Sequence, residues 1–151
     1  MKSIFKTVLL LVIVLVITTS MMPDQKDRII GNYHMVVGSI NGKPNPPDQM
    51  DRTLTFFENN QFIGDISFPG GRNFPFIQGV YTVQDDSTIV LHHTYNGKLH
   101  DIAWVYNYKF IGDTLCYHGF YTQQPPSNPN LLVKFFVDEK WVRIEKKKSS
   151  K

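Results

Sequence analysis

The chain has 151 residues, 42% of them hydrophobic and 13% aromatic, with a formal net charge of +3 and one cysteine. That length suits a single globular domain with its own core. Four of the positive charges sit in the terminal "KKKSSK" and two in the first six residues, leaving the body between them at −3, so the balance excludes a nucleic-acid binder with a basic folded face.

The opening "MKSIFKTVLLLVIVLVITTSMM" places Lys2 and Lys6 ahead of an apolar run from Val8 to Ile17, followed by Thr18, Thr19 and Ser20. Crossing a bilayer takes about 20 apolar residues, and this run is shorter. It reads as a secretory signal peptide over residues 1–20, cleaved after Ser20, which would leave a mature charge of +1. An uncleaved anchor is the alternative, and the leader is the only part that would then touch a membrane. No cysteine follows the leader, so lipid attachment of the bacterial lipoprotein kind is excluded, and the product is expected to be exported, periplasmic or secreted. With Cys116 as the sole thiol there is no internal disulfide, and packing must hold the domain together. Cys116 lies in the alternating "TLCYHGFY", where a buried inert thiol is expected.

From Arg28 to Glu145 the hydrophobic period is two. Strands are expected over Ile29–Ile40, Arg52–Glu58, Gln61–Phe68, Phe76–Gln84, Ser87–Tyr95, Lys98–Phe110 and Thr114–Gln123. A last one, ending in Lys140–Glu145, closes "LLVKFFVDEKWVRIE" as one long bent strand. The links "ENNQ", "QDDS", "YNGK" and "IGDT" carry tight-turn chemistry and favour antiparallel neighbours. Three segments break the rhythm: "NGKPNPPDQ", expected to leave the sheet; "PGGRNFP", expected to be a loop; and "QQPPSNPN". No helix of normal length has a place. About eight strands joined in order suit an all-β, antiparallel up-and-down barrel over residues 28–145, because closure removes exposed edges. A barrel of that size is filled by side chains or holds one small ligand. The basic end, residues 146–151, is expected to be a disordered tail.

Parity assigns an inward face to each strand. It offers Tyr33, Met35 and Val37; Leu54 and Phe56; Phe62, Ile66 and Phe68; Tyr81 and Val83; Leu91, His93 and Tyr95; then Ile102, Trp104, Tyr106 and Tyr108. Four large inward residues on one strand point to a cavity rather than a plain core, although a packed barrel would also use Tyr and Trp.

"GNY" at the start of the first strand resembles the Gly-x-Trp signature of lipocalins, with Tyr33 where tryptophan is usual. In that superfamily the aromatic sits at the closed end of the barrel under a basic side chain from the last strand. "EKWVRIE" offers Arg143 for this, with Trp141 on the same face. More narrowly, the chain is similar to a family of short exported lipocalin-like proteins of unknown function from Gram-negative bacteria. The similarity rests on "IIGNY", on "FFENNQF", on the segment from Gly79 to Ile89 and on "EKWVRI". It implies a calycin-type barrel with a pocket, a structural role for Gly31, Tyr33, Trp141 and Arg143, and no particular ligand.

Catalytic and metal chemistry find little footing. His34, His92, His93, His100 and His118 lack zinc-site spacing, and neighbours His92 and His93 point to opposite faces of a strand. There is no nucleophile elbow, and "PGGRN" leads into no helix that could cradle phosphate. Asp85, Asp86, Asp113, Asp138 and Glu139 read as turn formers. No cofactor or catalytic residue is assigned. The leading expectation is a small hydrophobic or amphipathic ligand bound by Tyr33, Phe56, Phe62, Tyr81, His93, Trp104 and Tyr106, with Arg72 and Phe74 on a loop at the rim. The rivals are an envelope interaction module with a filled barrel and Pro-rich contact loops, and a small isomerase or hydrolase using His93 or His118.

Overall fold

The computed structural model describes residues 25–45, 51–95, 98–99, 102–123, 128 and 130–144. The expected leader and basic tail lie outside the described residues, as do most of the last two-thirds of "NGKPNPPDQ", His100 and most of "QQPPSNPN". A five-residue helix, α1 (Gln25–Ile29), precedes ten strands. These are β1 (Gly31–Ile40), β2 (Lys43–Pro44), β3 (Asp51–Phe56), β4 (Gln61–Phe68), β5 (Arg72–Val83), β6 (Thr88–Tyr95), β7 (Lys98–Leu99), β8 (Trp104–Ile111), β9 (Thr114–Gln123) and β10 (Val133–Arg143).

Eight of them form a closed antiparallel barrel. Its order is β10-β9-β8-β6-β5-β4-β3-β1, and β1 then pairs with β10 from Tyr33–Arg143 to Ile40–Val137. The two-residue strands β2 and β7 fold back onto β1 and β6. Each link fits its turn. At "IGDT", Ile111 pairs with Thr114, and Gly112 takes the first turn position at φ 59°, a conformation open to glycine. At "FFENNQF", Phe57 N–H donates to the Gln61 carbonyl at 2.9 Å, and Asn60 adopts the left-handed conformation at φ 63° that asparagine tolerates.

One end of the barrel is plugged. Antiparallel order brings the starts of β1, β4, β6 and β9 together with the ends of β3, β5, β8 and β10, and here Tyr33, Phe56, Phe62, Tyr81, Ile89, Tyr108, Leu115 and Trp141 are buried. Phe56 meets Tyr33 and Tyr81 edge-on, with ring centroids 6.2 and 5.0 Å away. α1 sets fully buried Ile29 into this cluster, while the Arg28 guanidinium lies 4.7 Å from the Phe110 ring centroid.

Arg143 fastens the plug. Its guanidinium carbon lies 5.0 Å from the Tyr33 ring centroid. Nη2 donates to the Tyr33 hydroxyl at 2.7 Å and to the Arg28 carbonyl, and Nη1 donates to the Ile30 carbonyl at 2.7 Å. The Tyr33 hydroxyl in turn donates to the Ile29 carbonyl at 3.0 Å. Gly31 has the reason that the sequence left open: at φ 154°, a Cβ there would collide with Arg143 Nη1.

Several local expectations are corrected. Ile29 belongs to α1, not to the first strand. A bulge between Met35 and Val37 turns Val37 outward, 55% exposed, and aims Gly38 and Ile40 inward instead. "PGGRNFP" is mostly strand: β4 and β5 pair through Phe68–Arg72 around a tight turn. Phe68 is 43% exposed because, among the described residues, β5 pairs with β6 only over Gly79–Val83, so the β4–β5 hairpin outruns its neighbour. "NGKPNPPDQ" does not leave the sheet at once, since Lys43–Pro44 return onto Ser39–Ile40. The expected Lys98–Phe110 strand is two, β7 and β8, with Ile102 and Ala103 between them.

Candidate functional site

Above the plug the barrel is hollow. A cavity of about 650 Å³ is walled by residues from all eight barrel strands. One water occupies about 30 Å³ of liquid, so this is far more than a pocket for a few waters. It falls within the 300–1,000 Å³ typical of small-molecule sites.

Its deeper wall is Leu54, Phe62, Leu91, Tyr106 and Trp141, all buried, which makes the cavity floor the upper surface of the plug, while buried Val137, paired with Ile40, stands nearer the mouth. Toward the mouth, where β1, β4, β6 and β9 end and β3, β5, β8 and β10 begin, the wall carries Ile40, Arg52, Ile66, Phe76, His93, Trp104 and Tyr121. His93 stacks on Trp104 with ring centroids 4.5 Å apart and planes 26° apart, and Tyr121 leans on Trp104 at 5.2 Å. Trp104 Nε1–H donates to the Thr122 carbonyl at 3.2 Å, fixing the indole across the strand pair. The Arg52 guanidinium lies 5.8 Å from the Phe76 ring centroid.

Between floor and mouth stands Glu139, buried at 7% exposure. It faces inward because Val137, Glu139 and Trp141 alternate on β10, and its cross-strand neighbour on β9 is Tyr117. Trp141 Nε1–H donates to Glu139 Oε2 at 3.1 Å, and the Tyr117 hydroxyl donates to the same carboxylate. Burial pushes the Glu139 carboxyl above its ordinary range, and nearby Asp138 adds to this. The Tyr117 and Trp141 hydrogen bonds and the Arg52 charge pull the other way. The same environment acts on the phenols. Burial first, and the Glu139 charge second, raise Tyr106, Tyr117 and Tyr121 above the usual phenol range. Tyr106 and Tyr117 are 5.0 Å apart, and Tyr117 lies nearly parallel to Trp141 at 6.1 Å. The result is one carboxylate among aromatic rings that turn an indole N–H and a phenol hydroxyl toward it.

The residues expected from sequence separate into three groups. Phe62, His93, Trp104 and Tyr106 are in the cavity wall. Tyr33, Phe56 and Tyr81 are in the plug beneath it, on the inward face but not on the cavity wall. Arg72 and Phe74 stand exposed on strand β5 rather than on a rim loop, with Phe74 packed edge-on against Phe68 at 6.0 Å. His118 faces outward beside Phe136 at 6.3 Å, so of the two histidines considered for catalysis only His93 borders the cavity. Trp141, expected to be structural, both closes the plug and floors the cavity.

Sequence reasoning passed over Arg52, Tyr117, Tyr121 and Glu139. Glu139 is a strand residue and not a turn former. Counting back by two from Arg143 through Trp141 would have placed it on the inner face. Compared with protein-family models the chain matches none, and a search of curated proteins finds no relative.

Proposed function

We propose that the protein binds one small hydrophobic or amphipathic molecule inside its barrel, and that it does so as an exported, non-enzymatic protein. The observation that carries this reading is the roughly 650 Å³ cavity bounded by every barrel strand and lined mainly by aromatic and aliphatic side chains. Burial at about 25 cal/mol per Å² of apolar surface would supply most of the affinity, and the few polar groups would orient the guest. The resemblance of "GNY" and Arg143 to the lipocalin pattern supports the same use of the fold, and the leader supports export to the periplasm or beyond.

The test is a titration of the mature protein with the neutral apolar fluorophore N-phenyl-1-naphthylamine, together with native mass spectrometry of protein purified from its own host. Trp104→Ala removes the indole that His93 and Tyr121 pack against, so it should weaken fluorophore binding about tenfold or more while leaving the far-ultraviolet circular dichroism unchanged. Loss of the fold in parallel with binding, or no binding by the wild type, would favour the interaction-module reading.

A further inference from the structure

Given a cavity that takes a small guest, the reading on which this inference rests, the polar group inside it constrains what the guest carries. We infer that the guest is a lipophilic amine or ammonium compound, its cationic nitrogen held by the Glu139 carboxylate within the ring formed by Tyr106, Tyr117, Tyr121 and Trp141.

Three features of the site converge on this chemistry. An ionised carboxylate is an acceptor with about four lone-pair positions, and the protein supplies two donors, Trp141 Nε1–H and the Tyr117 hydroxyl. Acceptor capacity therefore remains on a group that borders the cavity. Second, the rings of Tyr106, Tyr117 and Trp141 cluster around this carboxylate, with Tyr121 on the same cavity wall, and an aromatic ring adds attraction for a cation brought over its face. Third, a carboxylate at 7% exposure costs stability unless it is paired. A purely apolar guest gains nothing from a carboxylate at that position, whereas a cationic guest adds an opposite charge to the partial compensation that Arg52 gives from the mouth. Burial already raises this carboxyl, so the incoming cation has a correspondingly large effect on it.

Arg52 is the competing feature, because a guanidinium on the wall could instead select an anionic guest. It is at the mouth, half-exposed, with its guanidinium over the Phe76 ring, where water screens it. Glu139 lies deeper, fixed by two hydrogen bonds and ringed by aromatics. The deeper, drier group sets the preference.

Three probes of one chain length separate the possibilities: octylamine, 1-octanol and octanoate, each titrated calorimetrically into the wild-type protein near neutral pH. The expected order is octylamine tightest, about tenfold or more ahead of 1-octanol, with octanoate weakest. Glu139→Gln keeps an acceptor for Trp141 and Tyr117 but removes the charge, and it should bring octylamine and 1-octanol to within about twofold without weakening the alcohol. Should that variant fail to fold by circular dichroism, the wild-type order decides alone. Equal binding of amine and alcohol, an octanoate preference, or a preference that survives in folded Glu139→Gln would overturn the inference while leaving the cavity reading intact. Binding of none of the three would remove both.

Discussion

Replacing Arg143 with methionine isolates what holds the plug. The change keeps the apolar stem that packs near Tyr33 but removes a charged donor from three acceptors: the Arg28 and Ile30 carbonyls and the Tyr33 hydroxyl. Hydrogen bonds to a charged group contribute about 1.5–3 kcal/mol each. Arg143 is only half-buried, and the freed carbonyls can recruit water, so the three together are worth about 2–4 kcal/mol rather than their sum. That is a large share of the roughly 5–15 kcal/mol that holds a domain together. Urea denaturation measures it, and hydrogen exchange locates it: protection should fall first in α1 and at the start of β1. Tyr33→Phe, which removes only the hydroxyl, should cost about 1 kcal/mol, and the double mutant should show coupling of about 1 kcal/mol. Fluorophore binding at the far side of the Trp141 floor should stay within about twofold for both single variants. An Arg143→Met loss below about 0.5 kcal/mol, or exchange rising evenly around the barrel, would refute the view that this guanidinium fastens the first strand to the last.

Gly31→Ala should lower stability by about 1–3 kcal/mol, because a Cβ at φ 154° displaces Arg143 Nη1; in an Arg143→Met background the penalty should shrink, as thermal midpoints of the four proteins would reveal. High pH should unfold the protein. Burial pushes the Tyr33 pKa up to about 12 and raises Tyr81, Tyr106, Tyr117 and Tyr121, whereas unfolded tyrosines ionise near pH 10. The unfolded chain thus loses protons first, and stability, complete below about pH 10, falls as the pH climbs through 12. Tyrosinate absorbance appearing together with loss of circular dichroism agrees with this, and buried phenols ionising near pH 10 in a folded barrel would contradict it. Glu139 follows the same sign. Its raised folded pKa means that its contribution is fully present below the ordinary carboxylate pKa and declines as pH rises above that. Glu139→Gln should flatten the decline in thermal midpoint as pH rises above the ordinary carboxylate pKa, without lowering the neutral-pH midpoint.

The strand order and closure were legible because the links are short. Each strand in a run joined by tight turns has one antiparallel neighbour available, and eight of them leave two free edges that satisfy each other. Position along the barrel axis was harder to read, because parity reports a face but not a depth. Tyr33, Phe56 and Tyr81 share their face with Trp104 and Tyr106, yet they stand deeper, beneath the cavity, where β1, β4, β6 and β9 begin and β3, β5, β8 and β10 finish. Bulges defeat parity outright. The one at Val36 carries no glycine or proline to announce it, and Pro75, which stands at the irregular pairing of β4 with β5, was read as the end of a loop instead. α1 is too short for a helical period to show in its sequence.

The two ends of the interior use the same residue types for different physical work. In the plug, tyrosine hydroxyls donate to backbone carbonyls: Tyr33 to Ile29 at 3.0 Å, Tyr81 to Phe57 at 2.9 Å and Tyr108 to Asp85 at 3.3 Å. Bonds of that kind let large polar aromatics be buried at little cost and tie loops to the barrel end. In the cavity the organising partner is a side-chain carboxylate, and Tyr117 and Trp141 turn their donors toward it. A buried carboxylate costs desolvation that its two hydrogen bonds offset only in part, so packing alone gives no reason for one at this position. The plug, closely packed and with its phenol hydroxyls bonded to backbone carbonyls, carries the stability that lets the other half of the barrel keep a hollow space and a buried carboxyl group.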